Sequence, residues 1–114
     1  MSLTNVIFKQ LKDLQPVATS HGNGLKKVLL SQVETPTNIT QIALTELYDD
    51  ERVKLHRHET MDEFFIILNG TCDVIVDGRQ IQCMEGSFLR VPANLSHEIH
   101  VQDKVTMITI GIAI

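Results

Sequence analysis

Residues 56–70 read HRHETMDEFFIILNG. Two histidines stand one residue apart, Glu63 follows, and an apolar run leads to Asn69-Gly70. On a strand through 54–58 successive side chains alternate between faces, so His56 and His58 point one way and Arg57 the other. Across the intervening turn, Glu63 opens the next strand with Phe65 and Ile67 on its own face. Opposed residues of adjacent antiparallel strands hold their Cβ atoms about 5 Å apart. Two imidazoles and one carboxylate can then meet a single cation, provided this part of the chain is antiparallel sheet.

The rest of the chain reads the same way. After SHGNG at 20–24, a turn by its glycines, come LKKVLLS, NITQIALTELY, RVKLHRH, DEFFIILNG, TCDVIVDGRQIQCM, SFLRVP, HEIHV and VTMITIGIAI. Each is a short run rich in branched and aromatic residues, bounded by turn formers. Pro36, Asp49-Asp50, Asn69-Gly70, Asp77-Gly78, Gly86, Pro92 and Asn94 punctuate them at regular intervals, with no helical segment to make parallel crossovers. The expected class is all-β, an antiparallel sandwich or barrel. Ahead of residue 39, TNVIFKQLKDL at 4–14 has Val6, Ile7, Leu11 and Leu14 at helical spacing behind a Thr4 or Asn5 cap, so residues 1–38 are expected to hold a short helix or an edge strand packed on the barrel or a partner.

If Asp77-Gly78 is a two-residue hairpin turn, counting outward pairs Val76 with Arg79 and sets Cys72 opposite Cys83. Cys72, Val74, Val76, Ile81 and Cys83 then share the inward face, and Thr71, Asp73, Gln80 and Gln82 the other. A disulfide is geometrically open to the cysteines, but in a reducing compartment two small buried thiols is the preferred reading.

At 114 residues the chain is one domain by length. Apolar residues at 43% and charged residues at 21% are ordinary for a soluble protein. The net charge of −4 is spread along the chain, with no basic cluster denser than Lys26-Lys27, which argues against nucleic acid as a partner. MSLTNVIFKQLKDL lacks the apolar run of a signal peptide, and VTMITIGIAI is about half a membrane span, so no membrane partner and a cytoplasmic location are expected.

A second cluster lies in GSFLRVPANLSHEIH, residues 86–100, where Gly86 precedes Pro92 by six, Asn94 marks a turn and His97 opens a strand. With these residues the chain resembles the cupin family. That family's first motif has a turn glycine, His-x-His six residues on, then Glu and Gly; here Asp50, His56, His58, Glu63 and Gly70 stand in those places. Its second has Gly, Pro-x-Gly, His and Asn; here Gly86, Pro92, Asn94, His97 and Val101 match or replace them. Asp50 and Asn94 stand where the pattern has glycine, but Asp and Asn are the residues that best enter left-handed backbone, so both turns survive. Val101 replaces an Asn that is no metal ligand. The resemblance covers about residues 39–112 of a core taken as 39–114.

The resemblance implies an antiparallel double-stranded β-helix, a jelly-roll barrel of the cupin type. It also implies His56, His58, Glu63 and His97 as ligands to one divalent transition metal: Fe, Mn, Ni, Cu, Co or Zn. The expected lining of the substrate pocket is Phe65, Ile67, Val74 and Ile81, with Lys54, which shares the parity of His56, at the mouth or in solvent. His100, three residues after His97, faces outward by alternation; His21 is a loop residue; Arg90 has no assigned direction. No general base outside Glu63 is readable, and no catalytic residue is assigned.

The apolar row Phe64, Ile66 and Leu68, with much of MITIGIAI, exceeds what a small barrel buries alone, and a homodimer is expected. The leading functional expectation is a metal-dependent enzyme of dioxygenase or isomerase type, acting on a small polar organic molecule that chelates the metal. The alternative is a non-catalytic cupin that binds a sugar or organic acid, and a third is a barrel stapled by its metal.

Overall fold

The computed structural model describes residues 6–114. The proposed Thr4 or Asn5 cap lies outside the described residues, and the expected N-terminal helix reduces to a single 3-10 turn at Leu11–Asp13. Eight strands follow among the described residues: β1 (Val17–Ala18), β2 (Leu25–Ser31), β3 (Ile39–Leu47), β4 (Arg52–His56), β5 (Met61–Val76), β6 (Arg79–Cys83), β7 (Phe88–Val91) and β8 (His97–Ala113). No helix is long and apolar enough to cross a membrane. The fold is the all-β antiparallel jelly roll. Its sheet runs β1-β2-β3-β8-β5-β6, with β4 added on β8 and β7 on β5. Residues 17–31 thus continue the same sheet as the core, since β2 pairs with β3 from Leu25↔Glu46 to Ser31↔Gln41.

Two strands are longer than the sequence pattern implies. Asn69-Gly70 reads as a chain reversal, yet β5 runs through it, and HEIHV joins VTMITIGIAI in one strand. Gly70 has φ +87°, but the positive φ makes a kink rather than a turn. A Cβ there would overlap the Lys104 carbonyl, so glycine alone lets β8 pack against the bend. Register shifts cluster at residues 67–72 of β5, and the inward parity changes across them: Phe65 and Ile67 before, Cys72 and Val74 after, all buried. One pair of long strands thereby lines both halves of the barrel.

The hairpin matches its expected register. Asp77 and Gly78 both have positive φ, the pair a type I′ turn requires, and Val76↔Arg79, Val74↔Ile81 and Cys72↔Cys83 face one another. Both cysteines are free and buried. Ile81 departs from its expected burial: β6 ends the sheet, no strand covers its outer side, and Ile81 is 38% exposed. The core is Leu47, Val53, Phe65, Ile67, Val74, Val91, Ile99, Val105 and Met107 with the two cysteines and Val101. Val101, in the place of a family Asn, is an apolar core residue, and its backbone ties to the Asp50 turn through Asp50 N–H to Val101 O and Val101 N–H to Glu51 O.

Candidate metal centre

His56 and His97 are register partners across β4 and β8, and their ring centroids are 4.3 Å apart. Simple alternation does not bring them there. The β4–β8 register shifts between Val53 and His56, so Val53 and His56 both turn inward while Lys54 and Leu55 lie exposed. Lys54 therefore loses the shared parity that placed it at the cavity mouth. His58 lies past the end of β4, in a loop rather than on a strand. Its backbone carbonyl accepts the Asn94 N–H at 2.7 Å, so the left-handed Asn94 turn anchors the His58 loop. Asp62 strengthens that tie by accepting the Ala93 N–H at 2.9 Å and pairing with Arg90 at 2.8 Å, which settles the direction of Arg90.

Glu63 stands between β7 and β8, opposite Val91 and Gly111. Its Oε1 is 3.3 Å from both His58 Nε2 and His97 Nε2. One ligand atom from each of His56, His58, Glu63 and His97 falls within 4.8 Å of the others. Ligands about 2.1 Å from a shared ion stand about 3 Å apart when cis and about 4 Å when trans, so this cluster needs only slight contraction around a first-row cation.

The hydrogen bonds on the far side of the rings carry more information. Nδ1 of His97 lies 3.0 Å from the Leu95 carbonyl, and Nδ1 of His56 lies 2.7 Å from that of Lys54. A carbonyl only accepts, so both rings must carry their proton on Nδ1. In the neutral ring Nε2 is then a bare lone pair, and for His97, only 1% exposed, that lone pair faces a carboxylate oxygen. Two acceptors held together in a buried site require a positive charge between them. The His97 Nε2–Glu63 Oε1 contact has hydrogen-bond geometry, whereas His58 Nε2 is buried without it to any partner.

Without a metal, imidazole protons supply that charge by hydrogen bonding to Glu63. Burial works to raise the Glu63 carboxyl, but the imidazoles of His58 and His97 outweigh it and hold it down at about 2. Glu63 in turn raises His58, against burial. Burial, aided by His97 and His58, lowers His56. A permanently ionised carboxylate among three rings fits a divalent cation, and the donor set is mixed N and O.

Beside the cluster opens a cavity of about 270 Å³. Of the residues expected to line it, Phe65 does so. Ile67 and Val74 are buried in the apolar core instead, because the barrel's packed half takes them. Ile81 and Lys54 lie off it for the reasons given above. His100 is on the outer face, 3.7 Å from Glu98, as alternation implied. The cavity wall also carries polar residues not foreseen: His21, Lys26, Gln41, Thr45 and Thr109. Strand parity held a signal for some of them, since Gln41 and Thr45 alternate with the buried Ala43 and Leu47. Nothing in SHGNG marks His21, which the turn after β1 brings to 6.3 Å from the His56 ring. Its Nδ1 is engaged within its own turn by the Thr19 hydroxyl at 3.0 Å.

A family model for the cupin domain matches residues 43–111. Quercetin 2,3-dioxygenase of Bacillus subtilis strain 168 is 31% identical over 85 residues, 75% of this chain. The chain spans 25% of that protein's length. Among solved structures, a predicted oxalate decarboxylase from Thermotoga maritima superposes with a TM-score of 0.84 at 19% identity, covering 95% of this chain and 100% of that one. Ectoine synthase from P. lautus gives a TM-score of 0.82 at 13% identity, covering 94% and 78%. Structures so distant in sequence establish the shared barrel alone, and their differing names show how little the barrel fixes the reaction. The match to the cupin domain runs over more than half of the chain and takes in the long strands, both turns and the four clustered side chains, so this protein belongs to the cupin family.

Proposed function

We propose that this cupin is a metal-dependent enzyme, of dioxygenase or isomerase type, acting on a small polar organic molecule. His56, His58, Glu63 and His97 would hold one divalent transition metal. The observation that carries the reading is the tautomer lock: backbone carbonyls of Lys54 and Leu95 turn two Nε2 lone pairs toward the space beside Glu63. Three neutral imidazoles and one carboxylate suit Fe, Mn, Ni, Cu, Co or Zn, and the absence of thiolate ligands argues against closed structural zinc. When bound, such an ion with open positions acts as a Lewis acid or activates dioxygen. The chain's own part is to fix the ligand rings from behind, exclude water with Phe65 and Met107, and admit the substrate through the polar wall.

Metal analysis of the purified full chain tests the first half. About one equivalent of metal per chain is expected, lost in His58→Ala with the circular dichroism spectrum retained. Wild-type protein that takes up none of the six metals at micromolar concentration overturns it. Oxygen uptake or substrate isomerisation by the loaded protein, lost in the same variant, tests the second. Saturable binding without turnover would favour the non-catalytic alternative, for which the polar wall is equally suited. A melting temperature unchanged by chelator would remove the reading of the metal as a staple. The apolar outer face of the sheet supports a homodimer.

A further inference from the structure

The cavity wall that faces the metal cluster carries a cation with no countercharge. Lys26 lies on β2 with β1 on one side and β3 on the other, paired to Val17 and Thr45, and its side chain is partly buried. Among the described residues it forms no ion pair; the lysine and arginine pairs are Lys9–Glu34, Arg90–Asp62 and Lys104–Glu46. Its one polar partner is Gln41 Oε1, at 3.0 Å. The ammonium can only donate, so the amide oxygen must face it and the Gln41 NH2 remains a free donor. The nearby carboxylate of Glu51 is committed elsewhere, accepting the Tyr48 N–H at 2.7 Å and the Gly24 N–H at 3.2 Å.

The two threonines of the wall do not compete for an anion. The Thr109 hydroxyl donates to the Ala43 carbonyl, which leaves it to accept from Thr45 at 3.1 Å, so both hydroxyl protons are spent. Lys26 and Gln41 stand together as two donors turned over to a ligand, one of them charged. On the metal side, a divalent ion held by one carboxylate and three neutral rings keeps a net single positive charge. With that ion bound the pocket would be locally positive inside a chain of net charge −4, and low-dielectric walls would concentrate the field.

We propose that Lys26, with Gln41, forms an anion subsite, and that the substrate carries a carboxylate or similar oxyanion at the end away from its metal-chelating oxygens. The substrate class is then a small bifunctional acid, not a neutral sugar. This rests on the metal reading above, and the test keeps the two apart. The probes are 2-hydroxyglutarate and 2-hydroxyvalerate, which share a chelating α-hydroxy acid and a chain length but differ in a terminal carboxylate against a methyl group.

Titrated into the Co(II)-loaded full chain and followed by the cobalt absorption bands, 2-hydroxyglutarate is expected to bind on the order of tenfold tighter, the scale of one charge-assisted hydrogen bond. Lys26→Met, nearly isosteric, should abolish the difference without changing cobalt content or the melting temperature, and Lys26→Arg should keep it. Equal affinity in the wild type, or a preference that survives Lys26→Met, overturns the subsite while the metal centre stands. Should cobalt not bind, another of the six metals is loaded in its place; should none bind, the metal reading falls. The metal-free protein then decides by nitrogen-15 NMR: a saturable shift of the Gln41 side-chain amide with 2-hydroxyglutarate, lost in Lys26→Met, supports the subsite, and no shift overturns it.

Discussion

At the scale of single residues, Glu63 concentrates the site's electrostatics. Its carboxyl titrates at about 2 against an ordinary 4.5, because His58 and His97 favour the ionised form more than burial disfavours it. A depressed carboxyl binds fewer protons in the folded than in the unfolded chain between those values, so its contribution is complete above pH 4.5 and fades as pH falls toward 2. In the metal-free protein Glu63→Gln should flatten that acid limb, worth up to about 3 kcal/mol, as read by urea titrations at stepped pH. An unchanged limb would mean that the two imidazoles do not act on Glu63. The same substitution removes the one anionic ligand and should weaken metal binding by more than the 10–100-fold that attends loss of a supporting group, measured by competition with a chromophoric chelator.

At the scale of strands, the decisive positions are those where backbone departs from regular pairing. Gly70 and Gly78 have nearly equal φ, +87° and +80°, but different surroundings. A Cβ at Gly78 meets nothing within 4 Å, whereas at Gly70 it runs into the Lys104 and Val105 backbone. Gly78→Ala should cost about 1–2 kcal/mol, the left-handed penalty alone, and Gly70→Ala distinctly more, by urea denaturation. Equal costs would show that β8 yields at the kink. Asn69-Gly70 reads as a turn in the sequence because a glycine that reverses the chain and one that kinks a strand are written alike. Strand alternation brings His56 and His58 together only in part, since it does not register the bulge in β4 or the end of the strand before His58. The four clustered side chains were still legible, since residue type and motif spacing carry them. The polar wall was less so, because Lys26 and Gln41 belong to strands with no motif, and His21 reaches the cavity through a turn whose path no local pattern specifies.

At the scale of the molecule, the face of the sheet opposite the cavity is unusually apolar in a continuous way. Along one hydrogen-bonded row Phe88, Ile66, Ile108 and Leu44 stand side by side across β7, β5, β8 and β3, and in the next Phe64, Ile110, Ile42 and Leu30 do the same across β5, β8, β3 and β2. Phe64 and Phe88 stack with centroids 6.1 Å apart, and Phe88 is 65% exposed. An apolar tract this broad stays in water at a cost of roughly 25 cal/mol per Å², and a second copy of the same face is the simplest cover for it. Such an isologous contact of standard size removes about 800 Å² from each partner. The expected species in solution is a dimer of about 26 kDa, twice the 12.8 kDa chain. Light scattering coupled to gel filtration reads it directly, and Phe88→Asp should shift the mass to the monomer while leaving metal content intact, because Phe88 is remote from the four ligands in register and points outward. A wild-type monomer at micromolar concentration would leave the apolar rows without that explanation and would separate the working unit of the site from any assembly.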